Sequence, residues 1–251
     1  MEIITPYGNP SDKLIMGNIG GVQCALLARH GRKHSIMPGH VNYRANIFAL
    51  KKVGCTHILA ATACGSLKEE IEPKHLVLVD SFIDRTTQRH QTFYDGSVDF
   101  IKRICHIPMA NPFCSYTRTL VSSVCKELEI TLHEKGNVVI IEGPRFGSKA
   151  ECFMHQKMGA DLVNMTLVPE VVLAAEAGIC YTSIAMSTDY DCWREAEETV
   201  NVEDVLKCMK TNAENVTKIF KEVVPRLGQA DWIENSKDVR HQMANNNFIG
   251  H

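Results

Sequence analysis

Residues 168–187 read V-P-E-V-V-L-A-A-E-A-G-I-C-Y-T-S-I-A-M-S, a helix and a strand set end to end. Pro169 stands at a first-turn position, where its missing N–H is no loss, and Gly178 supplies the residue that ends a helix in the left-handed region; a helix over 168–177 follows. The apolar run 179–187 then reads as a strand. Outward from this pair the same alternation recurs, with strands predicted at 22–28, 57–62, 76–82, 138–142 and 161–164. Helices are predicted at 42–53, stopped by Gly54, at 149–158, ended by Gly159, and at 202–223. The last carries an apolar stripe of Val202, Val205, Leu206, Met209, Ala213, Val216 and Phe220. The chain is therefore expected to be an α/β protein, a mixed central sheet flanked by helices. Residues 84–113 are polar and irregular and read as an excursion outside the core, and the tail from Glu234 as loose.

The 251 residues carry no Pro/Gly/Ser-rich linker, and the expected organisation is one domain. Hydrophobic residues make up 45% and the net charge is -2, with basic residues scattered, which argues against nucleic acid or an anionic membrane as the main partner and for a small-molecule site. The first residues lack a basic and apolar leader pattern, and no apolar run approaches a membrane span, so a cytosolic protein is expected. Ten cysteines lie singly, with no C-x-x-C pair, and read as reduced, mostly buried small hydrophobes.

Four clusters at predicted strand ends carry chemistry. Arg29, His30, Gly31, Arg32, Lys33 and His34 follow a strand exit, where guanidinium forks and imidazoles suit a phosphate; a solvated basic turn is the plain alternative. Thr62, Ala63, Cys64, Gly65 and Ser66 have the small side chains that let a ligand approach backbone N–H groups, or that pack a tight turn. Ser187, Thr188, Asp189, Tyr190 and Asp191 place two carboxylates two residues apart, facing the same way in extended chain. Each disfavours ionisation of the other, so one is able to hold a proton near neutral pH and act as an acid; a solvated acidic loop is the alternative, and no third carboxylate is spaced for magnesium. Glu142, Gly143, Pro144, Arg145 and Phe146, with Asn164, Met165 and Thr166 at the next strand end, offer a ring, a flat apolar cover and hydroxyls suited to a nucleoside, although Met165 alone reads as core.

The order of these pieces is more specific than any one of them. R-H-G-R-K-H-S-I-M-P-G-H-V-N-Y-R-A-N (29–46), T-A-C-G-S-L (62–67), E-G-P-R-F (142–146), N-M-T (164–166) and S-T-D-Y-D-C-W (187–193) resemble, in register over nearly the whole chain, the trimeric purine nucleoside phosphorylase family, in its branch that cleaves 5'-methylthioadenosine. The resemblance implies phosphorolysis of 5'-methylthioadenosine to adenine and 5-methylthioribose 1-phosphate, in purine and methionine salvage, with phosphate as co-substrate and no metal or organic cofactor. A purine nucleoside phosphorylase of broader specificity, a catalytically silent nucleoside-binding relative and a hydrolase are the competing readings.

By matching motifs, the resemblance puts phosphate on Arg29, His30, Thr62, Ala63 and Thr166, ribose against Met165, and the base beside Phe146. Asp189 would protonate or hydrogen-bond adenine N7, and Asp191 would help read the 6-amino edge. A carboxylate at 189, with Gly147 where 6-oxopurine sites keep a glutamate nearby, favours 6-aminopurines. Val202, Val205 and Leu206 would form the pocket for the 5' alkylthio group, closed by His106 of a neighbouring subunit in a homotrimer; His34 lies near this region. The resemblance also implies an N-terminal strand and a glycine-rich phosphate loop of G-G-T-G or G-G-S-G type. Nothing before Thr5-Pro6-Tyr7-Gly8 matches them, so the expected domain is 1–251 without that segment. Gly147, where relatives often have serine, is a second departure.

Overall fold

Strand β9 (Cys180–Asp189) lies at the centre of the molecule, and every residue of it but the last is buried. A computed structural model describes residues 1–98, 104–194 and 202–230, with only the backbone at 202, 204 and 206. β9 pairs in parallel with β3 (His57–Ser66) along almost its whole length. Around these two a seven-stranded mixed sheet is completed by β4 (Leu76–Leu78), β5 (Ser81–Asp84), β6 (Leu132–His133), β7 (Asn137–Ile140) and β8 (Leu162–Asn164), in the order β5-β7-β8-β3-β9-β4-β6. A separate antiparallel hairpin is formed by β1 (Ile15–Ile19) and β2 (Val22–Leu26).

Two expectations about strands are corrected. The predicted strand 22–28 is not part of the central sheet: its apolar residues serve the hairpin, which leaves Leu26 66% exposed. The predicted strand 76–82 is two strands. Val79 and Asp80 bond across to Ser183 and Gly136, so the chain leaves β4 beside β9 and enters β5 at the far edge, beside β7. Two strands so close in sequence can occupy such distant places only because the sheet curls.

Helices cover both faces. α1 (Tyr43–Lys52) starts where Asn42 Oδ1 accepts from Ala45 N, and packs with α4 (Leu167–Ala177). α4 ends at Gly178 with φ 70°, as the opening stretch predicts. Ile47, Ala49, Leu50, Val171 and Leu173 form one core layer with the sheet. Opposite, α2 (Ser115–Glu127) and α5 (Val202–Gln229) press Val121, Val124, Val216, Ile219 and Val223 onto Leu76, Leu78 and Ile184. Each such side chain removed from water contributes about 1.5–3 kcal/mol. α2 and β6 have no counterpart in the sequence reading. The buried stripe of α5 is also rotated from the predicted one: Cys208, Asn212, Val216, Ile219 and Val223 face inward, and Ala213 is exposed. α3 (Lys149–Lys157) begins in a capping box of Ser148 and Glu151.

The excursion is more anchored than expected. Among its described residues Phe93, Tyr94, Val98 and Phe113 join the main core, and the buried carboxylate of Glu176 accepts from Thr92 Oγ1 at 2.6 Å and Phe93 N at 2.8 Å. The expectation of a loose tail from Glu234 concerns residues outside those described.

Candidate active site

The carboxyl ends of β3, β8 and β9 open into one cleft of about 520 Å³, walled by the 29–38 segment, Pro144 to Gly147 and α5. It collects Arg29, His30, Thr62, Ala63, Phe146, Met165, Thr166, Asp189, Asp191 and Val205 from the predicted site, and His34 with them. The side chains of Val202 and Leu206 lie outside the described residues, although both positions fall on α5 beside Val205. His106 is exposed and does not line the cleft of its own chain.

One end is a cluster of hydroxyls and a guanidinium. Thr62 Oγ1 and Thr166 Oγ1 stand 3.2 Å apart. Asn164, 4% exposed, holds both in place: its amide nitrogen donates to Thr62 Oγ1 at 2.6 Å and Ala63 O at 3.0 Å, while Oδ1 accepts from Thr166 N and Leu167 N. Arg29 donates from Nε and a terminal nitrogen to the two oxygens of Glu170, both at 2.7 Å, and Tyr181 OH donates to Glu170 at 2.6 Å. Burial acts against the Arg29 charge, but the Glu170 carboxylate outweighs it and raises the pKa further, so Arg29 stays cationic. His30 Nδ1 sits 2.7 Å from Ile36 O, an atom that only accepts, so Nδ1 carries the proton. Burial lowers the His30 pKa, which keeps the ring neutral and leaves Nε2 an acceptor.

At the other end stand the two aspartates. β9 slips against β3 after Cys64, so that Gly65 pairs with Asp189 rather than Thr188, and the extra residue turns both carboxylates toward the cleft. Gly65 makes room for them: a Cβ there would lie 3.2 Å from Asp189 Oδ1 and 3.4 Å from Asp191 Oδ2. Asp189 Oδ2 accepts from Thr188 Oγ1 at 2.7 Å and Oδ1 from Asp191 N at 2.8 Å. Burial nevertheless raises the Asp189 pKa, with the Asp191 charge adding to the effect, against the pull of those hydrogen bonds. Asp189 is thus a carboxyl biased toward holding its proton.

Between the ends lie Met165 and Phe146, the latter 53% exposed at the rim. Gly143, at φ 69°, lets Met165 in, since a Cβ there would come within 2.6 Å of its sulfur. Arg89, which sequence reasoning missed, holds this wall from the excursion: it donates to Met165 O at 2.6 Å, Val168 O at 2.8 Å and both the carboxylate and carbonyl of Glu142. Glu170 was missed too, although a lone acid inside the apolar 168–174 run was a visible signal. Gly147 leaves ordinary space for a larger residue, a Cβ there meeting Cys152 Sγ at 3.5 Å.

A cleft with a polar end of hydroxyls and a guanidinium, and a desolvated acid at the other end of an apolar wall, has the chemistry of a small-molecule site. Residues 3–225 match the Phosphorylase superfamily. The S-methyl-5'-thioadenosine phosphorylase of Danio rerio is 59% identical over 230 residues, which is 92% of this chain and 82% of that protein. The enzyme of the same name from Drosophila pseudoobscura pseudoobscura is 56% identical over 248 residues, 99% of this chain and 86% of its own. Among solved structures, the methylthioadenosine phosphorylase of Schistosoma mansoni in complex with adenine superposes with a TM-score of 0.93 at 42% identity, covering 98% of this chain and 90% of that one. A variant of the S. mansoni adenosine/methylthioadenosine phosphorylase with methylthioadenosine bound gives 0.92 at 41%, with coverage of 98% and 90%. The chain belongs to the phosphorylase superfamily, in its S-methyl-5'-thioadenosine phosphorylase family.

Proposed function

We propose that this protein cleaves 5'-methylthioadenosine with inorganic phosphate, giving adenine and 5-methylthioribose 1-phosphate. The observation that carries the reading is the pairing, within one cleft, of the Arg29, Thr62 and Thr166 cluster with the desolvated acid Asp189. The bond between C1' and N9 breaks with its electron pair on the base, leaving a cationic sugar flanked by phosphate. Asp189 gives its proton to N7, so the base departs neutral, while a phosphate oxygen forms the new bond to C1'. The hydroxyl proton of phosphate is released as the ester forms, and neutral His30 Nε2 is an acceptor suited to it; Asp189 regains a proton from solvent. Asp191 accepts from the 6-amino group, and a 6-oxo group would meet it acceptor to acceptor. Met165 lies against the ribose, Phe146 flanks the base, and Val205 gives α5 an apolar side for the methylthio group, the sequence assigning positions 202 and 206 to the same pocket.

Phosphate is the only co-substrate in this scheme, since a proton at Asp189 neutralises the leaving base without a metal or organic cofactor. The ten cysteines, none in a disulfide, favour a reducing compartment, the cytosol. The assembly is a homotrimer in which His106 closes the neighbour's 5' pocket. Ile104, 81% exposed beside it, is an apolar side chain that such an interface would cover. Phosphorus NMR of the products tests the chemistry: a sugar phosphate ester supports phosphorolysis, and free 5-methylthioribose with unchanged phosphate refutes it. Sedimentation at micromolar concentration tests the trimer.

A further inference from the structure

The amino ends of β3 and β9, remote from the cleft, hold a second constellation. His57 opens β3 and Cys180 opens β9, and the two are direct partners in the parallel pair. Cys114 stands at the N-cap of α2, docked there by its backbone N–H donating to Tyr181 O at 2.9 Å. One imidazole nitrogen and two sulfurs from these residues all lie within 4.8 Å of one another.

Donor type and spacing select the ligand. A tetrahedral ion with bonds of about 2.3 Å to sulfur and 2.0–2.1 Å to nitrogen needs its donors roughly 3.3–3.9 Å apart, so only small side-chain shifts separate this cluster from a coordination shell. Two thiols and an imidazole are the soft and borderline donors that zinc takes, and no carboxylate stands among the three to favour magnesium or calcium. The surroundings help the ligands. Thr117 Oγ1 donates to Cys114 Sγ at 3.3 Å, and the N-terminus of α2 favours negative charge on that sulfur. His57 Nδ1 is 3.0 Å from Thr56 Oγ1, the kind of partner that fixes a ligand ring. Cys114 and Cys180 are buried, at 5% and 3% exposed, whereas half-buried His57 leaves an approach from solvent.

We propose that His57, Cys114 and Cys180 bind one zinc ion, a water completing the tetrahedron. Bound there, zinc ties the start of α2 to the two central strands, whose other ends carry Thr62 and Asp189. Five strand residues, roughly 16 Å, separate His57 from Thr62 on β3, so the ion takes no part in the reaction.

The test uses the full chain, stripped of metal and titrated with Zn²⁺, with Co²⁺ as the spectroscopic probe. The expected result is one ion per chain, thiolate-to-Co²⁺ charge-transfer absorption in the near ultraviolet, and a zinc-dependent rise in Tm. Cys114→Ser and Cys180→Ser should each cut the absorption by about half and the double variant abolish it, each single change weakening zinc at least roughly tenfold with nucleoside cleavage within about twofold of the parent. His57→Gln, at a half-buried position, keeps the question answerable if a cysteine variant fails to fold. Zinc bound below stoichiometry, zinc held equally well by all three variants, or a Cys114–Cys180 disulfide in non-reducing peptide maps would each overturn the proposal.

Discussion

Arg29 and Asp189 face the same cleft, yet the fold treats their charges in opposite ways. Arg29 arrives with its counter-charge supplied, two of its nitrogens on Glu170 and Tyr181 holding that carboxylate from behind. Among the described residues Asp189 meets no cation, only two hydrogen bonds, a neighbouring carboxylate and burial. The first arrangement fixes a charge and its direction, which suits a group that orients a substrate. The second leaves a charge unwelcome, which suits a group that must give a proton away. One end of the cleft fixes a charge and the other disfavours one.

The largest effect should come from removing the proton. Asp189→Asn is expected to lower kcat for 5'-methylthioadenosine about 10²–10⁴-fold, with relatively better acceptance of 6-oxopurine nucleosides, in steady-state assays on both. Its stability effect has a sign. The folded pKa lies above the unfolded value of 3.8, so between the two the folded chain holds more protons and stability falls as pH rises through the folded pKa. Urea titrations across that window should show a shallower fall for Asp189→Asn. Kinetics unchanged on both substrate classes would remove Asp189 from the chemistry.

Arg29→Ala attacks the other end and should show in stability as well as in phosphate. It strands Glu170, 6% exposed, without its ion partner, at a cost of about 3–5 kcal/mol. Adding Glu170→Gln should recover part of that loss of Tm without recovering phosphate affinity, and equal weakening of phosphate and nucleoside by Arg29→Ala would point to general damage. Arg89→Ala leaves the carbonyls of Met165 and Val168 short of a donor and should cost about 2–3 kcal/mol in urea unfolding, with a higher nucleoside KM as the wall loosens. Phe146→Ala is the smallest: at the exposed rim it should change stability by less than about 0.5 kcal/mol while raising nucleoside KM roughly tenfold.

The same contrast between local and distant causes explains what could be read from the chain. The helix over α4 is written in neighbouring residues, Pro169 at its start and Gly178 at its end, and the strand ends carrying Thr62, Asn164 and Asp189 follow from runs of apolar sequence. α2 was not legible, because S-Y-T-R-T-L-V-S-S-V-C-K-E is rich in Ser, Thr and Val and its N-cap Cys114 makes no capping side-chain bond; burial of Val121, Val124 and Cys125 is what makes it a helix. The break between β4 and β5 depends on curvature of the whole sheet, which no local signal records. In the site, the cleft-lining residues Arg29, Thr62 and Asp189 were legible as motifs, but the contacts that hold them were not. Glu170 lies 141 positions from Arg29, and Asn164 lies 102 from Thr62.

The most direct test of the account is adenine release from 5'-methylthioadenosine by the purified chain, with and without phosphate, with inosine as the control nucleoside and Asp189→Asn beside the parent. Release is expected to require phosphate, to be absent with inosine and to collapse in the variant. Release without phosphate, or a folded chain that releases nothing, would contradict it.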